Sequence, residues 1–181
     1  MKIIFSAGDL PSSKYLLKSI WENLSPIHDL RIAAGSNCRN TLDYIDWNMD
    51  ALYNGKPHKH KSTREIIGDF YIPIVDKDIL EILCNEVWDW QPDLIITNHD
   101  PVFLALANQL GIVSWDISML NLMWTPEWNG KDNYGIKYTN KLYNFRRDHR
   151  FYSEPTKRFI YSPFYKCRMD IGPDIEWIKP Y

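Results

Sequence analysis

Cysteine is scarce in this 181-residue chain: Cys38, Cys84 and Cys167 are odd in number and far apart. That spacing excludes a disulfide framework and the paired pattern of a zinc site, so the three read as reduced packing residues. Glycine is sparse too, with eight residues. None stands in the spaced triple of a dinucleotide fingerprint or before a Lys-Ser/Thr pair, so both common phosphate cradles are missing. Neither sign of charge dominates, 21 Lys and Arg against 23 Asp and Glu, a net charge of −2. A uniformly basic nucleic-acid binder and an acidic disordered tail are thereby excluded. Apolar runs stay well short of the roughly 18–20 residues needed to span a bilayer, and Met1 to Gly8 is too short for a signal-peptide core. The expectation is a soluble, cytoplasmic protein with no membrane contact. What the chain has in quantity is aromatic surface, 14% of residues, with 8 Trp and 11 Tyr. That is ample material for a core and for binding faces.

The order of patterns predicts an α/β, Rossmann-like three-layer domain with a mainly parallel sheet of about 5–6 strands. Lys2 to Ser6 is a short apolar strand. Leu16, Leu17, Ile20, Trp21 and Leu24 then recur at helical spacing after Ser12 or Ser13, and Asp29 to Ala34 gives a second strand. Strand, helix, strand is the unit that builds parallel sheets. Cys38 to Tyr53 allows a helix, 54–68 reads as a polar exposed loop, and Asp69 to Val75 reads as a strand placed at an edge by Pro73. Ile79, Leu80, Ile82, Leu83, Val87 and Trp88 form an inward helical stripe behind a cap at Asp76. Leu94 to Thr97 is a buried strand. Asp100 is an N-cap, Pro101 sits where its missing N–H costs nothing, and Gly111 stops a helix that is apolar nearly all round. Ile112 to Trp115 adds a strand, a helix is expected from about 136 to 152, and Arg158 to Tyr161 is the last strand expected. The domain is read as residues 1–162, with 163–181 as an extended tail or interdomain linker.

In an open parallel sheet, ligands bind outside the strand C-termini. Three polar turns gather there: Ser6 to Asp9, Asn98 to Asp100, and Asp116 to Ser118. A carboxylate beside an imidazole can act as a base with its orienting partner, which makes Asp9, His99 and Asp100 the catalytic candidates. The plain alternative makes Asp100 a helix cap, Asp9 a turn residue and His99 a rim residue. Gly8, Asn98, Asp116, Trp124 and Trp128 are candidates for binding a ligand, while Trp115 reads as core. His58 and His60 alternate with lysines, whose charge opposes a cation, and no metal site is expected. Two clusters are locally basic, Lys56 to Arg64 and Lys137 to Arg150. Their Lys59, Lys61, Arg64, Arg146, Arg147 and Arg150 suit a phosphate backbone or, equally, a solvated face.

The stretch Gln91-Pro-Asp-Leu-Ile-Ile-Thr-Asn-His-Asp-Pro101, followed by Ala105-Leu-Ala-Asn-Gln-Leu-Gly-Ile112, resembles the acceptor-side N-terminal half of GT-B glycosyltransferases. Met1 to Gly8 looks like the opening strand of that fold. The resemblance implies transfer of a sugar from a UDP- or GDP-sugar to an acceptor hydroxyl, with no covalently bound cofactor and no metal. It also implies a donor-binding half elsewhere, as a C-terminal half or a separate subunit. In a phage-type, DNA-modifying member the acceptor would be a modified base in DNA. Where the family often sets a His in the first loop, this chain has Asp9. Opening strands of formyltransferases are similar as well, but the His-Pro-Ser turn of those enzymes is missing. Outside enzymes, the alternative is a non-catalytic Rossmann-like module that binds a nucleotide or a protein.

Overall fold

The computed structural model describes residues 1–7, 13–35, 38, 41–49, 60–62, 71–73, 77–98, 100–118, 155–161 and 175–178. Strand β1 (Lys2–Ala7) leads to helix α1 (Ser13–Leu24) and β2 (Asp29–Ala34). Short strands β3 (Trp47–Asn48), β4 (His60–Ser62) and β5 (Tyr71–Pro73) follow. Helix α2 (Lys77–Trp90), β6 (Leu94–Asn98), helix α3 (Pro101–Leu110) and β7 (Ser114–Ile117) come next, then β8 (Lys157–Tyr161) and β9 (Ile175–Ile178).

Seven strands form one sheet in the order β3-β2-β1-β6-β7-β8-β9, and every pairing in it is parallel. This confirms the α/β Rossmann-like expectation, with one or two more strands than the sequence suggested. The additions have clear causes. Strand β3 is only two residues long and too short to show a pattern. Residues 175–178, read from the sequence as tail, pair with β8 as an edge strand. Three further readings change. Ile82 and Trp88, expected on the inward stripe of α2, are exposed. His60–Ser62, expected in a loop, pairs antiparallel with Tyr71–Pro73 in a separate two-stranded sheet. Trp47–Asn48 is extended where a helix over 38–53 had been allowed. The expected helix at 136–152 and the cap at Asp76 lie outside the described residues.

Buried strands covered on both faces need no alternation of apolar and polar residues. Ile3 to Ala7 and Leu94 to Asn98 are accordingly buried throughout. Ile4, Ala33 and Ile95 pack with Ile79, Leu83 and Val87 of α2 and Val102, Phe103 and Leu106 of α3. On the other face Ile3, Phe5, Ile32, Leu94 and Ile96 pack with Leu16 and Leu17 of α1. Crossovers of one hand, running outward in opposite directions from the centre, put their helices on opposite faces. The chain turns outward in both directions from β1 and β6, so the crevice between those strands is the topological switch point.

Trp47 fixes the β3 side of the sheet. Its ring packs 5.9 Å from that of Phe103, and its Nε1 donates to Glu86 at 2.7 Å. The Arg31 guanidinium lies over Trp90 at 4.4 Å and over Trp47 at 5.9 Å. Just before β3, Asp46 completes the ladder: its backbone N–H donates to the Ile32 carbonyl at 2.9 Å, and its Oδ2 accepts the Ile32 N–H at 2.7 Å. Helix α2 ends at Gln91, which takes a left-handed conformation with φ of 53°. Helix α3 ends at Gly111, φ 68°, where a glycine suits that conformation.

Candidate functional site

The C-terminal ends of β1, β6 and β7 come together at the switch point, and the polar residues there are buried. Parallel register aligns Ser6 with Thr97, Thr97 with Asp116, and Asp116 with Arg158. Register partners on parallel strands share a sheet face. These four therefore form a polar row across the face that α2 and α3 cover.

Two hydroxyl and carboxylate pairs organise this edge. The Ser6 hydroxyl donates to Asp100 Oδ2. Asp100 Oδ1 accepts the N–H of Val102 at 2.9 Å and that of Phe103 at 3.4 Å. Asp100 is thus the N-cap of α3, its φ of −103° and ψ of 107° being the extended conformation that a cap adopts. A negative charge at a helix N-terminus meets the positive end of the macrodipole. One strand over, the Thr97 hydroxyl donates to Asp116 Oδ1 at 2.9 Å. Both carboxylates are deeply buried, Asp100 at 1% and Asp116 at 4% exposure. Burying such groups is tolerable only when hydrogen bonds replace the lost water.

Other bonds tie the strand ends just beyond the ladder. The Asn98 side-chain amide donates to the Ile117 carbonyl, and the Ser118 N–H donates to the Phe159 carbonyl at 3.0 Å. Neighbouring ends from β1 to β8 are each joined by a polar contact involving a buried side chain or the buried Ser118.

Of the sequence candidates, the structure brings Asn98, Asp100 and Asp116 together at this edge. Asp9, His99, Gly8, Trp124 and Trp128 lie outside the described residues, as do Lys59, Arg64, Arg146, Arg147 and Arg150. Lys61 falls on β4. Trp115 packs its ring 5.3 Å from Phe159 and against the α1 side of the core, in keeping with its reading as a packing residue. The roles of Ser6 and Thr97 were missed. Both are polar residues in apolar strands, one position apart in register from where the chain leaves the sheet, and that misfit was the available signal. Among the described residues no group of His, Cys, Asp and Glu is arranged to hold a metal ion, and no helix is long and apolar enough to cross a membrane.

No protein-family model matches the chain, and no curated protein sequence does. Solved structures do. Spinosyn Forosaminyltransferase SpnP matches with a TM-score of 0.56 and 14% identity, over 100% of this chain and 52% of that one. Spinosyn Rhamnosyltransferase SpnG matches with a TM-score of 0.47 and 13% identity, over 90% of this chain and 45% of that one. The first likeness shows the fold: a Rossmann-like α/β domain of the kind found in GT-B glycosyltransferases. This chain spans about half the length of that transferase, 52% of it.

Proposed function

We propose that the chain acts as the acceptor-binding half of a GT-B type glycosyltransferase. One observation carries this reading: the fold likeness to SpnP runs over 100% of the chain yet takes in only 52% of that transferase. Folds host many functions, so the site must carry the chemistry. The switch point gathers buried hydroxyls and carboxylates at the C-terminal edge of the sheet.

In the proposed reaction Asp9 or His99 takes the proton of an acceptor hydroxyl. The freed oxygen pair forms a bond to the anomeric carbon of a UDP- or GDP-sugar. The bond from that carbon to the nucleotide diphosphate breaks, and the diphosphate leaves with its electron pair. Gly8, Asn98, Asp116, Trp124 and Trp128 are the acceptor-binding candidates in this reading. A C-terminal half or separate subunit binds the donor. The basic clusters with Lys59, Lys61, Arg64, Arg146, Arg147 and Arg150 favour an acceptor carried on DNA as a modified base.

The test is transfer from a panel of UDP- and GDP-sugars. The chain is assayed alone and with the protein encoded beside it, with hydroxyl-bearing modified-base DNA among the acceptors. Turnover only with the neighbour supports a split transferase, and glucosylated or otherwise sugar-bearing DNA supports that acceptor. Absence of both turnover and sugar-nucleotide binding in either setting overturns the reading. It would leave a non-catalytic binding module, which one observation favours: the Asp100 and Asp116 carboxylates already accept hydrogen bonds from the chain's own donors.

A further inference from the structure

Resting on the glycosyltransferase reading, we infer that Ser6 and Asp100 are a positioning pair, and that Asp100 takes no proton from the acceptor. Asp100 accepts three hydrogen bonds, one from Ser6 and two from the first turn of α3. At 1% exposure it has no open path to an acceptor hydroxyl. What the pair does is mechanical. It joins residues 94 apart in sequence, one at the end of β1 and the other just before α3, on the two sides of the switch point. Gly8 and Asp9 follow Ser6 by two and three residues in sequence, and His99 immediately precedes Asp100. One bond therefore ties the end of β1 to the start of α3, and the proton-accepting role passes to Asp9 or His99.

The assignment predicts that the charge of Asp100 is dispensable while its hydrogen bonds are not. In Asp100→Asn the side-chain oxygen still accepts from Val102 and Phe103, and its amide donates to the Ser6 oxygen instead of accepting from it. Asn is as good an N-cap as Asp. The expected result is a melting temperature within about 2 °C of wild type and unmoved Val102 and Phe103 amide resonances. Transfer by the full chain with its donor-binding partner stays within about threefold, with the acid limb of its pH profile retained. Asp100→Ala strands the Ser6 hydroxyl and two helix N–H groups, and its melting temperature falls by roughly 5–10 °C. Ser6→Ala keeps the cap and falls less, and it remains readable if Asp100→Ala does not fold.

A folded Asp100→Asn protein whose transfer drops by about 100-fold or more, or whose acid limb is gone, would make Asp100 the base and overturn the proposal. So would an Asp100→Ala protein that melts with wild type. Should wild type transfer nothing to any acceptor, the glycosyltransferase reading fails on its own. The contrast in melting between Asn and Ala then still decides whether the tether exists.

Discussion

The two ends of the sheet use the same kinds of bond in opposite surroundings. At the N-terminal edge the Lys2 N–H donates to Asp93 Oδ2 at 2.8 Å, and Lys2 Nζ donates to the Trp90 carbonyl at 3.0 Å. Lys2 and Asp93 are exposed, and water could replace either partner. At the C-terminal edge Ser6, Thr97, Asp100 and Asp116 are buried, and no solvent can take over a lost partner. Polar bonds of equal length thus differ in consequence. An exposed one contributes a few tenths of a kcal/mol, whereas breaking a buried one leaves a desolvated group worth roughly 1–3 kcal/mol. A sheet that concentrates such groups at one end makes that end the more sensitive to loss of a single partner.

Substitutions at the two edges put this difference to the test. The largest effect is expected of Thr97→Val, which keeps the shape and removes the donor to Asp116: a loss of about 1–3 kcal/mol in denaturant unfolding. A loss no larger than that at an exposed site would remove the asymmetry. At the N-terminal edge the only gain is expected. Gln91 holds φ of 53°, a conformation that glycine adopts without strain, so Gln91→Gly should raise stability by about 0.5–1 kcal/mol in the same measurement. Asp93→Ala should cost about 0.5 kcal/mol or less, although its bond, at 2.8 Å, is as short as the 2.9 Å bond between Thr97 and Asp116. The smallest effect concerns Tyr44, whose hydroxyl donates to Asp46. That bond, then burial and the nearby negative charge of Asp46, push the phenol above its usual value of 10.0. A raised folded value means that the protonated phenol stabilises the fold. The contribution is complete below the ordinary tyrosine range and lost as pH rises through the folded value. Tyr44→Phe should therefore lower stability slightly at neutral pH and flatten the alkaline end of the profile, the gap to wild type closing as pH rises above 10, read by urea unfolding between neutral pH and pH above 10.

The sequence made much of the sheet legible because its central strands are long, apolar and bounded by strong signals. Pro101 and Gly111 mark the ends of α3, and the continuous run at Leu94 marks a strand buried on both faces. The peripheral strands escaped for want of length and pattern. Trp47–Asn48 is too short to show a period, and Ile175–Ile178 is stabilised by pairing with β8, a partner far away in sequence. The site was legible as a place more than as a mechanism. The turns placed Asn98, Asp100 and Asp116 at one edge, where the structure also has them, and Asp100 was seen both as cap and as acid. The donors that satisfy it could not be seen, because Ser6 and Asp100 are neighbours only once β1 and β6 lie side by side.

Asp46 has a consequence for how this molecule behaves among its own copies. An outermost strand with a free row of N–H and C=O groups is a template on which another sheet can grow. Here the β2 backbone is occupied by a carboxylate at Ile32 and by two residues of β3, so that flank presents a side-chain charge and a very short strand. Among the described residues neither continues into the regular backbone row that fibrillar association requires.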